Sequence, residues 1–169
     1  MNADKKTPSL IDPLEDFLGY QLRRAAFGTM AVLLDAYADL GLSPTEAMVL
    51  RFAQANPRCT QAEIGRALGV KRTNMVPIVT RLMSSGLLER TPADGRSHSL
   101  YLTAKGVERH RRIAKLTLEL EQYFFADFPE KTRQILMQAF RSLRAKAEQR
   151  QASESSADEH GDSRRMSQI

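Results

Sequence analysis

The sequence lacks several features that define whole classes of protein. Its 169 residues include no tryptophan and a single cysteine, Cys59, so an intramolecular disulfide framework is excluded. The longest unbroken apolar run, 30–34, is far shorter than the roughly 20 residues that span a bilayer. The N-terminal MNADKKTPSL has no apolar stretch typical of a signal peptide. We therefore expect a cytoplasmic protein with no membrane partner.

Motifs for catalysis are also missing. The chain has no glycine-rich phosphate loop and no set of cysteines and histidines at metal-ligand spacing. Its three histidines, His98, His110 and His160, are far apart in the sequence. We expect neither an enzyme nor a bound metal or cofactor.

The charge is concentrated in one third of the chain. Residues 58–112 contain 11 basic and 4 acidic side chains, whereas residues 1–57 contain 5 and 7, and residues 113–169 contain 9 of each. A basic segment between acidic and neutral ones is typical of a nucleic-acid contact surface. A solvated face of no special function is the alternative that charge alone leaves open.

Capping motifs and apolar periodicity predict five or six helices and one hairpin. Ser43 and Thr60 each precede a capping box, closed by Glu46 and Glu63 respectively, and Gly69 supplies the turn that ends the second of these helices. An Asp-Gly pair between two short apolar segments indicates a hairpin. The predicted helices are 13–39, 44–55, 60–68, 71–85, 103–126 and one opening at Pro129; the predicted strands are 87–91 and 97–103.

The predicted fold class is mainly α with a small β-hairpin. A winged helix-turn-helix over residues 43–103 lies between N- and C-terminal helices, 13–42 and 104–149, that form a dimerisation region. The ends, 1–12 and 150–169, are expected to be disordered because they are polar.

The helix 71–85 is the predicted recognition helix. Arg72, Thr73 and Asn74 are at its N-terminal end, which enters the major groove in helix-turn-helix proteins. Arginine can bind guanine, asparagine can bind adenine, and threonine can contact the thymine methyl group. Helix N-termini and basic side chains commonly bind phosphates, so phosphate contacts are expected from Thr60, Gln61 and Lys71.

The hairpin supplies a second predicted contact with DNA. Arg96, at the tip beside Asp94, is expected to enter the minor groove, although an ordinary solvated turn is the alternative. Arg81 either reads bases or pairs with Asp94 and braces the hairpin. His98, at the start of the second strand, completes the predicted DNA surface.

Several segments together resemble the MarR family of winged-helix regulators. They are LSPTEAMVL, TQAEIGRALGVKRTNMVPIVTRLMSSGLLER, ADGRSHSLYLT and the following AKG, and the resemblance covers about residues 14–147. It implies a homodimer with interleaved first and last helices, bound to double-stranded DNA at a pseudo-palindromic operator. It further implies repression of nearby genes and release by a small phenolic or lipophilic effector. By this resemblance, residues 94–96 match the family's wing motif and residues 72–74 its recognition positions.

An effector pocket is expected where the dimerisation helices meet the winged domain. Arginine beside aromatic rings would suit an aromatic carboxylate or an acyl thioester, although packing alone is the alternative for each residue. The candidate residues are Tyr20, Arg23, Arg24, Phe27, Met30, Met48 and Phe52.

Three further questions stay open at this point. Pro77 interrupts the recognition helix, so the helix either starts late or kinks. Cys59 is interpreted as a small buried residue, with a redox role as the alternative. A winged helix that binds protein and no DNA is the alternative function, and the salt dependence of binding would distinguish the two.

Overall fold

A computed structural model describes residues 10–92 and 98–166. The elements are α1 Leu18–Ala38, α2 Pro44–Ala55, α3 Gln61–Leu68, α4 Arg72–Ser84, β1 Leu88–Pro92, β2 His98–Leu102, α5 Ala104–Phe125 and α6 Glu130–Met166. The chain divides into two compact units, Met1–Leu120 and Glu121–Ile169. None of the helices in the described ranges has the length and apolar character needed to cross a bilayer.

Both predicted capping boxes are confirmed. Before α2, the Ser43 amide donates to Glu46 Oε2 at 2.7 Å, and the Glu46 amide donates to Ser43 Oγ at 3.2 Å. Thr60 and Glu63 form the equivalent pair before α3. Gly69 adopts a left-handed conformation with φ 65°, which glycine tolerates without steric cost. These local signals fix where the two helices begin and how tightly α4 follows α3.

The winged domain has its own core. Its fully buried side chains come from three helices and the hairpin: Val49, Leu50, Ile64, Met75, Val79, Leu82 and Leu100. Each such aliphatic side chain stabilises the fold by about 1.5–3 kcal/mol relative to an exposed one. Helix α4, the predicted recognition helix, is therefore held to the domain by its buried face.

The hairpin is anchored to the start of α3. Strands β1 and β2 are antiparallel, from Leu88 opposite Leu102 to Pro92 opposite His98. The Leu100 amide donates to the Cys59 carbonyl at 2.8 Å, and an isolated bridge joins Thr60 to Ser99. The residues before α3 thus pair with β2 through one short bridge, a second pairing that the sequence analysis does not predict.

Helix α5 packs closely against the base of the wing. The Thr103 hydroxyl donates to the Gly86 carbonyl at 2.6 Å and accepts from the Gly106 amide at 3.0 Å. A Cβ atom added at Gly106 would overlap the Leu87 carbonyl oxygen. Only glycine permits this approach of helix and strand.

The N-terminal boundary differs from the prediction. Helix α1 begins at Leu18 rather than Pro13, because Phe17 has an extended backbone with φ −91° and ψ 117°. Asp12, placed in the predicted disordered end, accepts hydrogen bonds from the Leu14 amide at 3.0 Å and the Tyr20 hydroxyl at 2.6 Å. A side chain that caps its own turn orders the chain locally.

The C-terminal boundary differs as well. The sequence analysis ends the ordered chain at residue 149, whereas α6 continues to Met166. Residues 145–158 are rich in alanine, glutamate and glutamine, which have high helix propensity. Since helical hydrogen bonds are local, residues with this propensity can extend a helix that has already begun.

Candidate nucleic-acid interface

Helix α4 presents the predicted recognition residues on its exposed side. Its buried face consists of residues three and four apart: Met75, Val79 and Leu82. Arg72, Thr73 and Asn74 are exposed in its first turn. The N-cap residue Lys71 makes no side-chain capping bond, so no capping side chain covers the positive end of the helix dipole. This turn offers cationic side chains and backbone amides to an anionic partner.

Pro77 does not delay the start of the helix. Helix α4 begins at Arg72 and continues through Pro77 to Ser84, so the alternative of a late start is wrong. The proline removes the backbone donor that would bond to the Thr73 carbonyl. Arg72, Thr73 and Asn74 nevertheless share one helical turn.

A basic pocket lies beside this first turn. It has a volume of about 260 Å³ and is lined by Gln61, Ala62, Arg72, Arg90 and His98. Arg90 Nη2 donates to Gln61 Oε1 at 2.7 Å, which fixes the guanidinium of Arg90 at the edge of the pocket. The recognition helix and the base of the wing therefore lie on the same surface of the domain.

Arg90 is a residue that the sequence analysis missed. It lies in β1, opposite Leu100, and its side chain contacts α3 through Gln61. A basic residue within a wing strand is the signal that could have identified it. Its contact with Gln61 could not be foreseen, because the two residues are 29 positions apart.

Thr60 has a structural role in this surface. Its hydroxyl lies 2.8 Å from Glu63 Oε2, to which it donates. The backbone hydrogen bond from Thr60, followed by the one from its hydroxyl, lowers the pKa of Glu63 below the ordinary value. The Thr60 hydroxyl is therefore already used in the cap of α3, and a phosphate would have to share it. Gln61 and Lys71, the other two predicted phosphate contacts, lie beside the first turn of α4.

Arg81 pairs with a residue of α2. Its Nε lies 3.3 Å from Oε1 of Glu46, whose side chain is 2% exposed. The sequence analysis proposed Asp94 as the partner, but Asp94 and Arg96 lie outside the described residues. Within the described residues, the ion pair of Arg81 with Glu46 joins α4 to the capped start of α2. Glu46 also closes the capping box of α2, and nothing in its local sequence indicates a second partner on α4.

The seven candidate effector residues lie in several places. The Tyr20 hydroxyl and Arg24 Nη1 both donate to Asp12 Oδ2, at 2.6 and 3.4 Å. These contacts, led by the bond from Tyr20, lower the pKa of Asp12. Four of the remaining candidates have exposed side chains: Arg23, Phe27 and Met30 on α1, and Met48 on α2. The structure therefore brings together Tyr20 and Arg24 out of the seven.

Phe52 belongs to a different depression, next to Cys59. This pocket, of about 400 Å³, is also lined by Arg58, Glu63 and Ile64, with Asn56, Pro57 and Ala67 completing it. Burial, and then the charge of Glu63, raise the pKa of the Cys59 thiol. A raised pKa lowers the thiolate fraction and hence the reactivity of a cysteine. The sequence analysis interpreted Cys59 as a small buried residue; the structure has it half-buried, and the raised pKa argues against the redox alternative.

The order of these elements defines a class of protein. The capped helix α3 is joined by a left-handed glycine to α4, a two-stranded wing follows, and exposed basic residues gather where helix and wing meet. This is the arrangement of a winged helix-turn-helix protein.

Comparison with known proteins identifies the family. The MarR family model matches residues 40–97. A proposed transcriptional regulatory protein for the hcr operon of Thauera aromatica is 30% identical over 131 residues, which are 75% of this chain and 78% of that protein. The chain therefore belongs to the MarR family of transcriptional regulators.

Solved structures support the same assignment. The transcriptional repressor CouR bound to p-coumaroyl-CoA is 30% identical with a TM-score of 0.72, covering 80% of this chain and 97% of that one. CouR bound to a 23-mer DNA duplex is also 30% identical, with a TM-score of 0.71 over 82% and 99% of the two chains. This chain is thus similar to a repressor that has been seen with both DNA and an acyl thioester.

Proposed function

We propose that the protein is a homodimeric repressor that binds a pseudo-palindromic DNA operator and is released by an aromatic acid or acyl thioester. The observation that carries the proposal is the basic pocket, where Arg72 of the recognition helix lies beside Arg90 and His98 of the wing. A surface with this charge suits the phosphates that flank a major groove. The similarity to CouR bound to a DNA duplex supports it.

In the proposed complex, residues divide into two roles. Arg72, Thr73 and Asn74 face base edges in the major groove, with Arg72 foremost. Phosphates are bound by Gln61, Lys71 and Arg90, and Arg96 enters the minor groove. Two such surfaces, one per subunit, would bind half-sites about 34 Å apart.

A homodimer is supported by apolar side chains that the single chain leaves exposed. On α1, Leu18 and Phe27 are 89% and 82% exposed. In the second unit, Tyr123 is 74% exposed, and Ile135 and Phe140 are exposed as well. Apolar surface on helices of this length is commonly buried by a second copy.

The proposed effector has chemical support on α1. Tyr20 and Arg24 already donate to one carboxylate, that of Asp12, so this pair is suited to an aromatic acid. CouR, which is similar to this chain, binds p-coumaroyl-CoA. Repression is relieved if the effector favours a dimer whose recognition helices no longer match the operator spacing.

The proposal is tested with DNA recovered by the purified protein. Fluorescence anisotropy on a recovered fragment should show that Arg72→Ala weakens binding by about 1–3 kcal/mol and relaxes base preference in each half-site. Arg96→Ala should weaken binding to all sequences, and Arg112→Ala, at an exposed position on α5, should change nothing. Adding 4-coumarate or p-coumaroyl-CoA should release the parent protein.

Two outcomes would contradict the proposal. Affinity that is independent of salt would favour a protein-binding winged helix, because binding through phosphates weakens steeply with salt. Equal affinity of the parent, Arg72→Ala and Arg96→Ala proteins would show that the contacts lie elsewhere. If the protein still binds DNA when one of the two compounds is added, that compound is excluded as the effector, and the proposed DNA binding is unaffected.

A further inference from the structure

Arg58, in the turn between α2 and α3, has an unusual backbone conformation. Its φ is 70°, and among the described residues it is the only one other than glycine with a positive φ. In this left-handed region the Cβ atom of an L-residue is crowded by a neighbouring carbonyl oxygen, whereas glycine has no Cβ atom to crowd. The fold is therefore less stable with arginine at this position than with glycine.

The turn itself is of a kind that usually has glycine at this place. The Cys59 amide donates to the Asn56 carbonyl at 3.1 Å, which closes a four-residue turn with Pro57 second and Arg58 third. Proline in the second place and a positive φ in the third are features of a type II turn, in which glycine or asparagine is preferred third. Because arginine gives the backbone no advantage there, the reason for it is to be sought in its side chain.

The wing holds this turn in place. Ser99 is buried, and its hydroxyl donates to the Arg58 carbonyl at 3.0 Å. The Leu100 amide donates to the carbonyl of the next residue, Cys59, at 2.8 Å. The backbone of Arg58 is therefore attached to β2 one residue away from His98, which lines the basic pocket of the proposed DNA surface.

The side chain of Arg58 carries a charge that no described carboxylate neutralises. It is exposed and forms none of the ion pairs found among the described residues. The depression of about 400 Å³ that it lines has one carboxylate among its lining residues, that of Glu63. Glu63 Oε2 already accepts hydrogen bonds from the amide and the hydroxyl of Thr60, at 2.7 and 2.8 Å.

We propose that Arg58 binds a DNA phosphate beside the recognition helix. Gln61, three residues later, lines the basic pocket together with Arg72, so the basic surface continues from this pocket past the start of α3 to Arg58. In helix-turn-helix proteins the first of the two helices crosses the DNA backbone, and α3 is that helix here. Arginine binds phosphate through charge-assisted, often bidentate hydrogen bonds. Such a contact, which rests on the proposed function, explains a residue that the backbone alone disfavours.

Three variants of the full-length protein separate the charge of Arg58 from its backbone strain. Arg58→Ala removes the charge and keeps the strain, Arg58→Gly removes both, and Arg58→Lys keeps both. Arg58→Gly should melt about 2–4 °C higher than Arg58→Ala, because only glycine relieves the strain. This comparison needs no DNA.

DNA binding should follow the charge instead. On a fragment that the purified protein retains, Arg58→Ala and Arg58→Gly should both bind at least about threefold more weakly than the parent, and Arg58→Lys should keep most of the affinity. The slope of log affinity against log salt should become shallower by about 0.9 for each subunit that loses the contact. Since phosphates carry no sequence information, an unrelated duplex should show the same losses. Arg112→Ala, at an exposed position on α5, is the control and should match the parent.

Several outcomes would overturn the proposal. Weaker binding by Arg58→Ala but not by Arg58→Gly would assign the effect to the backbone, and an equal loss in Arg58→Lys would show that charge is not the cause. Equal melting of the glycine and alanine variants would remove the strain from which the inference starts. Parental affinity and salt slope in all Arg58 variants, with binding lost in Arg72→Ala, would reject this contact and leave the proposed function intact. If Arg72→Ala also bound like the parent, the proposed DNA surface itself would be wrong.

Discussion

The winged domain and the helices that flank it place their apolar side chains differently. Among the described residues, the buried apolar side chains lie between Tyr37 and Ile113. In α1, and separately in the unit that follows residue 120, large apolar side chains such as Phe27, Tyr123 and Phe140 remain exposed. Apolar periodicity is present in both regions of the sequence. Periodicity therefore predicts that a helix has an apolar face, but it does not identify the surface that covers this face.

The largest effect should come from the core of the winged domain. Leu50 is fully buried, so Leu50→Ala should lower the free energy of unfolding by about 2–5 kcal/mol through lost burial and the cavity it leaves. Gln54→Ala, at an exposed position on the same helix, is the control and should change it by less than about 0.5 kcal/mol. Denaturant unfolding measures both. Similar losses in the two variants would contradict the assignment of Leu50 to the core.

Two glutamates in the first turns of helices provide the next contrast. Glu46→Ala should cost about 1–3 kcal/mol of unfolding free energy, because a buried cap is lost and Arg81 loses its partner. Glu130→Ala in α6 removes an exposed pair with Arg133 and should lower the free energy of unfolding much less, because solvent screens the pair. Chemical denaturation of both variants measures the difference. A reversed order would mean that the α6 pair is shielded from solvent.

Substitutions in the flanking helices should instead change the affinity of one copy of the protein for another. Phe140 is partly exposed and lines a cavity of about 220 Å³ with Phe125 and Met137. We expect Phe140→Ser to weaken the dimer about tenfold in sedimentation experiments, equivalent to about 1.4 kcal/mol. Gln138→Ser, on the same helix and exposed, should leave it unchanged. Unaltered association of Phe140→Ser would place the interface elsewhere.

The smallest effect is a pH dependence within the first unit. Burial, then Arg51, lower the pKa of His110 below its ordinary 6.5, so the unfolded chain takes up this proton more readily than the folded one. The stabilising contribution of neutral His110 is present above that value and is lost as the pH falls through it. In buffer free of carboxylate and phosphate, the melting temperature of His110→Gln should fall less than that of the parent between pH 7.5 and 5.5. His98→Gln, at an exposed position, should follow the parent, and an identical fall in all three proteins would refute the effect.

Local features of the fold were predictable, and distant pairings were not. The boxes at Ser43 and Thr60 and the left-handed Gly69 were predicted correctly, because each depends on residues within four positions of one another. The pairs Glu46–Arg81 and Gln61–Arg90 join distant parts of the chain, and nothing in their local sequence indicates the partner.

The same distinction applies to the candidate site. The exposed position of Arg72, Thr73 and Asn74 followed from the spacing of the buried residues of α4. Arg90 was missed because its position depends on how the wing packs against α3. The left-handed conformation of Arg58 was equally hidden, because glycine or asparagine is the residue expected there.

The close approach at Gly106 has a mechanical consequence. Helix α5 has 22 residues and is therefore about 33 Å long, at about 1.5 Å per residue. Gly106 in its first turn lies against the Leu87 carbonyl with no side chain between them. Because the two backbones are in direct contact, a rotation of this turn would press on the residue that leads into β1, and no side chain could move aside to absorb it.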